Sequence, residues 1–158
     1  MHIAYLADHP QLVPLLAAHH FEQWSYLRPG ETLEERTRRL EQACGRNAIP
    51  SVFVALEGGT LLGSAELIVC DMDERPELTP WLAGVYVVAS CRGRGYASAL
   101  VRRVQAEAQA LDVQRLYLYT PSAEGLYERL GWELFEHCEH LGQQVTIMSK
   151  QLAPASSR

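Results

Sequence analysis

The stretch CRGRGYASALVRRV at 91–104 follows directly on the apolar run WLAGVYVV at 81–88, and it puts two glycines and two arginines into one short turn. Gly93 and Gly95 lack a Cβ, so their amides can approach a bulky anion closely. A helix that starts at once presents free N–H groups whose partial positive charge favours phosphate oxygens, and Arg92 and Arg94 add charge beside them. The spacing matches neither common nucleotide motif. No Gly-Lys-Ser/Thr follows, as a Walker loop requires, and Ser98 stands where the dinucleotide fingerprint has its third glycine. A lone G-x-G also serves simply to turn a strand into a helix, so the turn by itself leaves both readings open.

Other reactive residue types are more scattered. Cys44, Cys70, Cys91 and Cys138 form no C-x-x-C pair, which argues against a disulfide framework and a zinc site. They read as reduced thiols, most of them partly buried. His137 and His140, with Cys138 between them, have poor spacing for a metal and read as surface residues, so no metal is expected.

The elements that position these residues follow from periodicity. IAYL at 3–6 is a short strand, and Pro10–Trp24 has apolar residues at helical spacing. Thr32 and Glu35 form a T-x-x-E capping box that opens a charged helix running to about Ala43, closed by Gly45. SVFVAL at 51–56 and LLGSAELIVC at 61–70 read as a hairpin around Gly58-Gly59. A polar loop at 71–80 leads to the strand at 81–88. Ala97, Leu100, Val101, Val104 and Ala108 then mark an amphipathic helix. RLYLYT at 115–120 alternates as a strand does, Thr120 and Pro121 open a short helix over 123–131, and WELFEHC and QVTIMSKQL complete the chain as two strands. The order β-α-α-β-β-β-α-β-α-β-β predicts an α+β mixed sheet in one domain over 1–152, with 153–158 a flexible tail.

Composition sets the partners. With 158 residues, 47% of them hydrophobic, the chain can bury a sizeable core. A formal net charge of -5 gives no reason to expect nucleic acid or an anionic membrane as partner. The opening MHIAYLADHPQLVPLLAAHH has no basic segment before its apolar residues and is interrupted by Pro, Asp and His, so a cytoplasmic protein is expected.

Two longer stretches carry a family resemblance. GVYVVASCRGRGYASALV resembles the acyl-CoA-binding motif of the GNAT superfamily of N-acetyltransferases, in which the fourth strand is followed by Arg/Gln-x-x-Gly-x-Gly/Ala, here Arg92, Gly95 and Ala97. GLYERLGWELFE resembles that superfamily's second marker, a helix bearing Leu/Phe-Tyr-x-x-x-Gly-Phe/Trp. The resemblance is strong from Trp81 to Met148 and, through the element order, extends over the chain. Ala89 replaces the proline that often follows the fourth strand.

What the resemblance implies is specific. The fold would be the acyl-CoA N-acyltransferase fold, a central, mostly antiparallel mixed sheet flanked by about four helices, with the fourth and fifth strands splayed apart. Main-chain groups of Val85, Tyr86, Val87 and Val88 would pair with the pantetheine arm of acetyl-CoA. The turn Arg92, Gly93, Arg94, Gly95, Tyr96 and Ala97 would take its diphosphate. A backbone N–H near Tyr86 or Val87 would meet the developing oxyanion. Tyr127 would be the acid that protonates the departing sulfur. For the base, Glu66 in the middle of its strand is the first choice, with an outward solvated carboxylate or a water relay left open. Asp71 and Asp73 would attract a cationic amine, unless they only make the loop polar. Trp24 and Tyr26, with His19 or His20, would wall the acceptor side, Trp24 having the alternative of ending the first helix in the core.

The expected activity is therefore acetyl-CoA-dependent N-acetyl transfer to a small amine, an amino-acid derivative or an aminoglycoside-like compound, directly in a ternary complex. A peptide or protein N-terminus as acceptor is the alternative within the class, and a non-catalytic acyl-CoA-binding module is the alternative outside it. Relatives often pair through edge strands, which leaves a homodimer open here.

Overall fold

The structure, a computed structural model, describes residues 1–154. The expected tail therefore lies outside the described residues from 155 onward. The elements run β1 (His2–Tyr5), α1 (Val13–Trp24), α2 (Leu33–Gln42), β2 (Ser51–Glu57), β3 (Thr60–Ile68), β4 (Trp81–Val87), α3 (Tyr96–Ala110), β5 (Arg115–Thr120), α4 (Glu124–Arg129), β6 (Glu133–His140) and β7 (Gln143–Gln151). The order is the one the periodicity predicts, with shifted boundaries. Pro10–Leu12 is a 3-10 turn, and α1 begins only at Val13. The capping box at α2 is complete: Glu35 N donates to Thr32 Oγ1 at 3.1 Å and Thr32 N to Glu35 Oε1 at 2.8 Å.

Seven strands form one sheet in the order β1-β2-β3-β4-β5-β7-β6. Every neighbouring pair is antiparallel except β4 and β5. Helix α3 packs Leu100, Val101, Val104 and Ala108 on one face, against Phe53, Leu67, Leu82 and Leu116. Helices α1 and α2 cover the other face, where Leu16, Ala17 and Leu40 meet Val52, Val54 and Leu56. The chain thus has the acyl-CoA N-acyltransferase fold, with apolar stripes of both helix layers buried on a two-sided sheet. No helix among the described residues is long and apolar enough to cross a membrane.

Two local features open the sheet. Strands β4 and β5 pair at a single position, Trp81 with Tyr117, where Tyr117 N donates to Pro80 O at 3.1 Å. Beyond it they diverge. Strand β4 is also bulged, because between the pairs Ser64↔Tyr86 and Glu66↔Ala83 it spends three residues where β3 spends two. The extra residue falls at Gly84, whose φ of +58° favours glycine and whose added Cβ would overlap the Glu66 carboxylate. A bulge bends its strand and raises the local twist, which here turns β4 away from β5.

Candidate active site

The space left by the splay is a cavity of about 230 Å³. Its walls come from distant parts of the chain: Trp24, Tyr26 and Arg28 after α1, Arg36 and Arg39 on α2, Glu66 and Asp71 on and after β3, Ala83–Val85 at the bulge, Tyr119 and Thr120 at the end of β5, Tyr127 on α4, and His140 at the β6–β7 turn.

Tyr127 sits at the end of that cavity. Its ring is buried against Trp132, with centroids 6.1 Å apart, and its hydroxyl has no hydrogen-bond partner among the described residues. Since no buried side-chain nitrogen or oxygen there is left without a partner, the hydroxyl opens into the cavity. Burial raises the phenol to about 12, so it keeps its proton at neutral pH. The short α4 that carries it begins at Glu124 with Ala123 as an N-cap that has no side-chain cap bond, so Thr120 and Pro121 do not open the helix as expected; Thr120 Oγ1 accepts from Ala123 N at 2.9 Å in the turn before it.

Glu66 lies directly over Gly84, and Asp71 faces the same cavity. Burial pushes the Glu66 carboxyl above the ordinary carboxylate range, against the pull of Arg36 and Arg39. Asp71 is raised to about 7 by burial first and by the Glu66 charge second. Asp73 is exposed and does not line the cavity. Trp24 is half-buried, its ring 5.0 Å from that of His20, and Tyr26 is 52% exposed at the cavity rim.

His20 explains how the bulge is held. Its Nε2 lies 2.9 Å from Ser64 Oγ, and Ser64 Oγ donates to Gly84 O at 2.9 Å. A carbonyl can only accept, so the serine proton goes to Gly84 and Nε2 carries the histidine's hydrogen. The bare Nδ1 then faces Glu66 Oε2 at 3.7 Å. Burial, helped by the charge of Arg36, lowers His20 to about 3, so the ring is neutral and the proton of this pair resides on Glu66 whenever Glu66 is protonated.

On β4 the ladder decides which backbone groups are free. Val88 N donates to Leu62 O at 2.8 Å, and alternation turns the polar groups of Val87 to the opening. Val87 O there accepts from Arg92 Nε at 2.9 Å. The guanidinium of Arg92 also lies 5.8 Å from the ring centroid of Tyr86, whose hydroxyl meets His19 Nδ1 at 3.1 Å. Arg92 is thus folded onto the end of β4. Gly93 and Gly95 have φ of +80° and +81° with nothing within 4 Å of an added Cβ, and α3 starts with no side-chain cap. Arg94 is exposed, Tyr96 and Ala97 half-buried. An open glycine turn before uncapped helix amides suits a diphosphate.

Sequence reasoning missed several cavity residues. His140 is buried, not on the surface: its Nδ1 lies 2.6 Å from Glu74 Oε2 and its ring 4.9 Å from Tyr119. His137 is exposed, as read. Burial, with the Asp71 charge, holds Tyr119 above the ordinary phenol range. Arg36 and Arg39 read only as part of a charged helix and Arg28 carried no reading of its own, yet all three line the cavity.

A mixed sheet opened between a bulged fourth strand and a parallel fifth, with a glycine turn leading into an uncapped helix, defines an acyl-CoA N-acyltransferase architecture. The chain belongs to the Acetyltransferase (GNAT) family, whose model matches residues 15–132. Solved structures share the fold. Ribosomal-protein-alanine N-acetyltransferase from Brucella melitensis is 21% identical with a TM-score of 0.75, over 96% of this chain and 100% of that one. An N-acetyltransferase from Staphylococcus aureus Mu50 is 22% identical with a TM-score of 0.74, over 96% and 98%. An aminoglycoside 6'-N-acetyltransferase complexed with coenzyme A is 16% identical with a TM-score of 0.76, over 98% of each chain. No curated protein sequence matches this chain. Family membership makes acetyl transfer the general chemistry.

Proposed function

We propose that residues 1–152 act as one cytoplasmic domain that transfers an acetyl group from acetyl-CoA to a primary amine, directly, in a ternary complex. One observation carries this reading: a single cavity at the open edge of β4 joins a protonated phenol, Tyr127, to two carboxyls of raised affinity for protons, Glu66 and Asp71.

Acetyl-CoA supplies a thioester whose carbonyl carbon is the electrophile. The open turn at 93–97 and the first amides of α3 suit its diphosphate, and the free edge of β4 suits its amide-bearing arm. The amide of Val87, turned from β3 to the opening, suits the negative charge developing on the carbonyl oxygen. Glu66, Asp71 or a water between them takes a proton from the ammonium, and the freed nitrogen forms its bond to carbon as the carbon–sulfur bond breaks. Tyr127 Oη gives its proton to the sulfur and regains one from solvent.

The test has two arms. Coenzyme A at a hundredfold over its Kd should stabilise the protein by ~2.7 kcal/mol, a melting shift of roughly 5 to 10 °C. Gly95→Leu puts a side chain into the open turn and should abolish the shift; a full shift in that variant refutes the diphosphate assignment. Turnover of an amine panel separates an enzyme from a regulatory acyl-CoA-binding module, since tight coenzyme A binding with no acetylated amine favours the module.

A further inference from the structure

A second cavity, of about 300 Å³, adjoins the first, and the two share Arg28, Arg36, Arg39 and Glu66 in their walls. Three guanidiniums therefore stand at the junction together with the Glu66 carboxyl.

Their partners do not use them up. Arg36 Nε donates to Glu31 Oε1 at 2.9 Å and Arg39 Nη1 to Glu31 Oε2, so one carboxylate serves two arginines. Arg36 is only 8% exposed and makes no other side-chain hydrogen bond among the described residues. No buried side-chain nitrogen is left without a partner, so its two terminal nitrogens open onto the cavities and not into the core. Arg28 is exposed and has no ion pair among the described residues. A guanidinium fork with free N–H donors fits a planar carboxylate or a phosphate in two parallel bonds. Glu31 pairs with two of the three arginines and leaves further N–H donors of Arg36 and Arg39, with the whole of Arg28, available at the cavity wall.

Resting on the acetyltransferase reading above, we propose that the acceptor is a small molecule carrying both an amine and an oxyanion, of the amino-acid or phospho-amine type. The ammonium lies at Glu66 and Asp71, where it can lose its proton, and the oxyanion lies at Arg28, Arg36 and Arg39. This arrangement neutralises both ends of the ligand. It disfavours a polycation, because every added positive charge must approach the arginines.

The experiment is acceptor kinetics on the full chain with acetyl-CoA, using the common L-α-amino acids, their carboxamides, O-phosphoethanolamine and spermidine. An amine with an oxyanion should exceed its neutral or polycationic counterpart in kcat/KM by about tenfold or more, as expected for charge-assisted hydrogen bonds. Arg28→Gln and Arg39→Gln should each shrink that ratio severalfold, with the loss in acceptor KM and not in kcat. The larger response, to an amino acid or to O-phosphoethanolamine, identifies carboxylate or phosphate. Carboxamides or spermidine acetylated as well as the oxyanionic amines would overturn this inference and leave the acetyltransferase reading standing. A preference that survives both arginine substitutions would overturn it too. If coenzyme A binds and no amine is acetylated, the acetyltransferase reading itself falls and takes this one with it.

Discussion

Tyr127 offers the sharpest separation of role from packing. Its ring packs on Trp132 while its hydroxyl has no described partner, so Tyr127→Phe removes a proton donor and leaves the apolar contacts in place. General acid catalysis typically contributes on the order of a hundredfold to ten-thousandfold. We expect kcat for a good amine to fall by that range, with little change in the KM for acetyl-CoA or in Tm. A loss below about threefold, measured where chemistry limits turnover, would assign the sulfur's proton to water. The same residue shows what a motif can convey: its spacing to Gly131 and Trp132 marks it in the sequence, but the opening of its hydroxyl into a cavity depends on a wall shared with Thr120 at the end of β5 and Pro121 just after it.

Among the elements, the bulge in β4 does most to make the site. It separates β4 from β5, turns the edge of β4 outward, and leaves room above Gly84 for Glu66. Ser64 and His20 fasten it from the α1 side. Gly84→Ala brings two penalties, a positive φ for a residue with a Cβ and an overlap with the Glu66 carboxylate. Gly58→Ala is the matched control, because Gly58 has the same φ of +58° with nothing within 4 Å. The backbone strain alone costs about 1–2 kcal/mol. Gly84→Ala should therefore lower Tm more than Gly58→Ala does, and it alone should depress kcat by displacing Glu66. Equal effects from the two substitutions would show that Glu66 moves aside freely and that the bulge does not fix its position.

At the scale of the whole molecule, folding buries ionisable groups with opposite consequences for pH. Asp71 binds its proton more tightly folded, at about 7 against an ordinary 3.8. Between those values the native state holds a proton that the unfolded chain has released, so this group's contribution to stability falls as pH rises from about 4 to 7 and is flat above. His20 is lowered to about 3 from 6.5, so its contribution is present above pH 6.5 and lost as pH falls toward 3. The two windows overlap and partly cancel in the parent. The difference between Asp71→Asn and the parent isolates the first: the variant should melt higher at pH 8, with the gap closing toward pH 4. A gap independent of pH would mean that Asp71 ionises as an ordinary surface carboxylate.

Local sequence determined the elements because each is specified by residues close together in the chain. Alternation drew β5, the Thr32–Glu35 box opened α2 and glycines closed the turns, so element order and family were legible before any contact was known. Boundaries slipped where local signals compete, as at Pro10, which begins a 3-10 turn and not α1. Tertiary structure alone decided which charges face the cavity. Asp71 and Asp73 are two residues apart and read alike, yet only Asp71 is turned inward. His140 read as a surface residue and is buried on Tyr119, and the arginines of α2 read as part of a charged helix and line the junction of two cavities. The physical reason is that burial and charge proximity depend on elements tens of residues apart meeting across the open sheet, which periodicity and spacing do not encode.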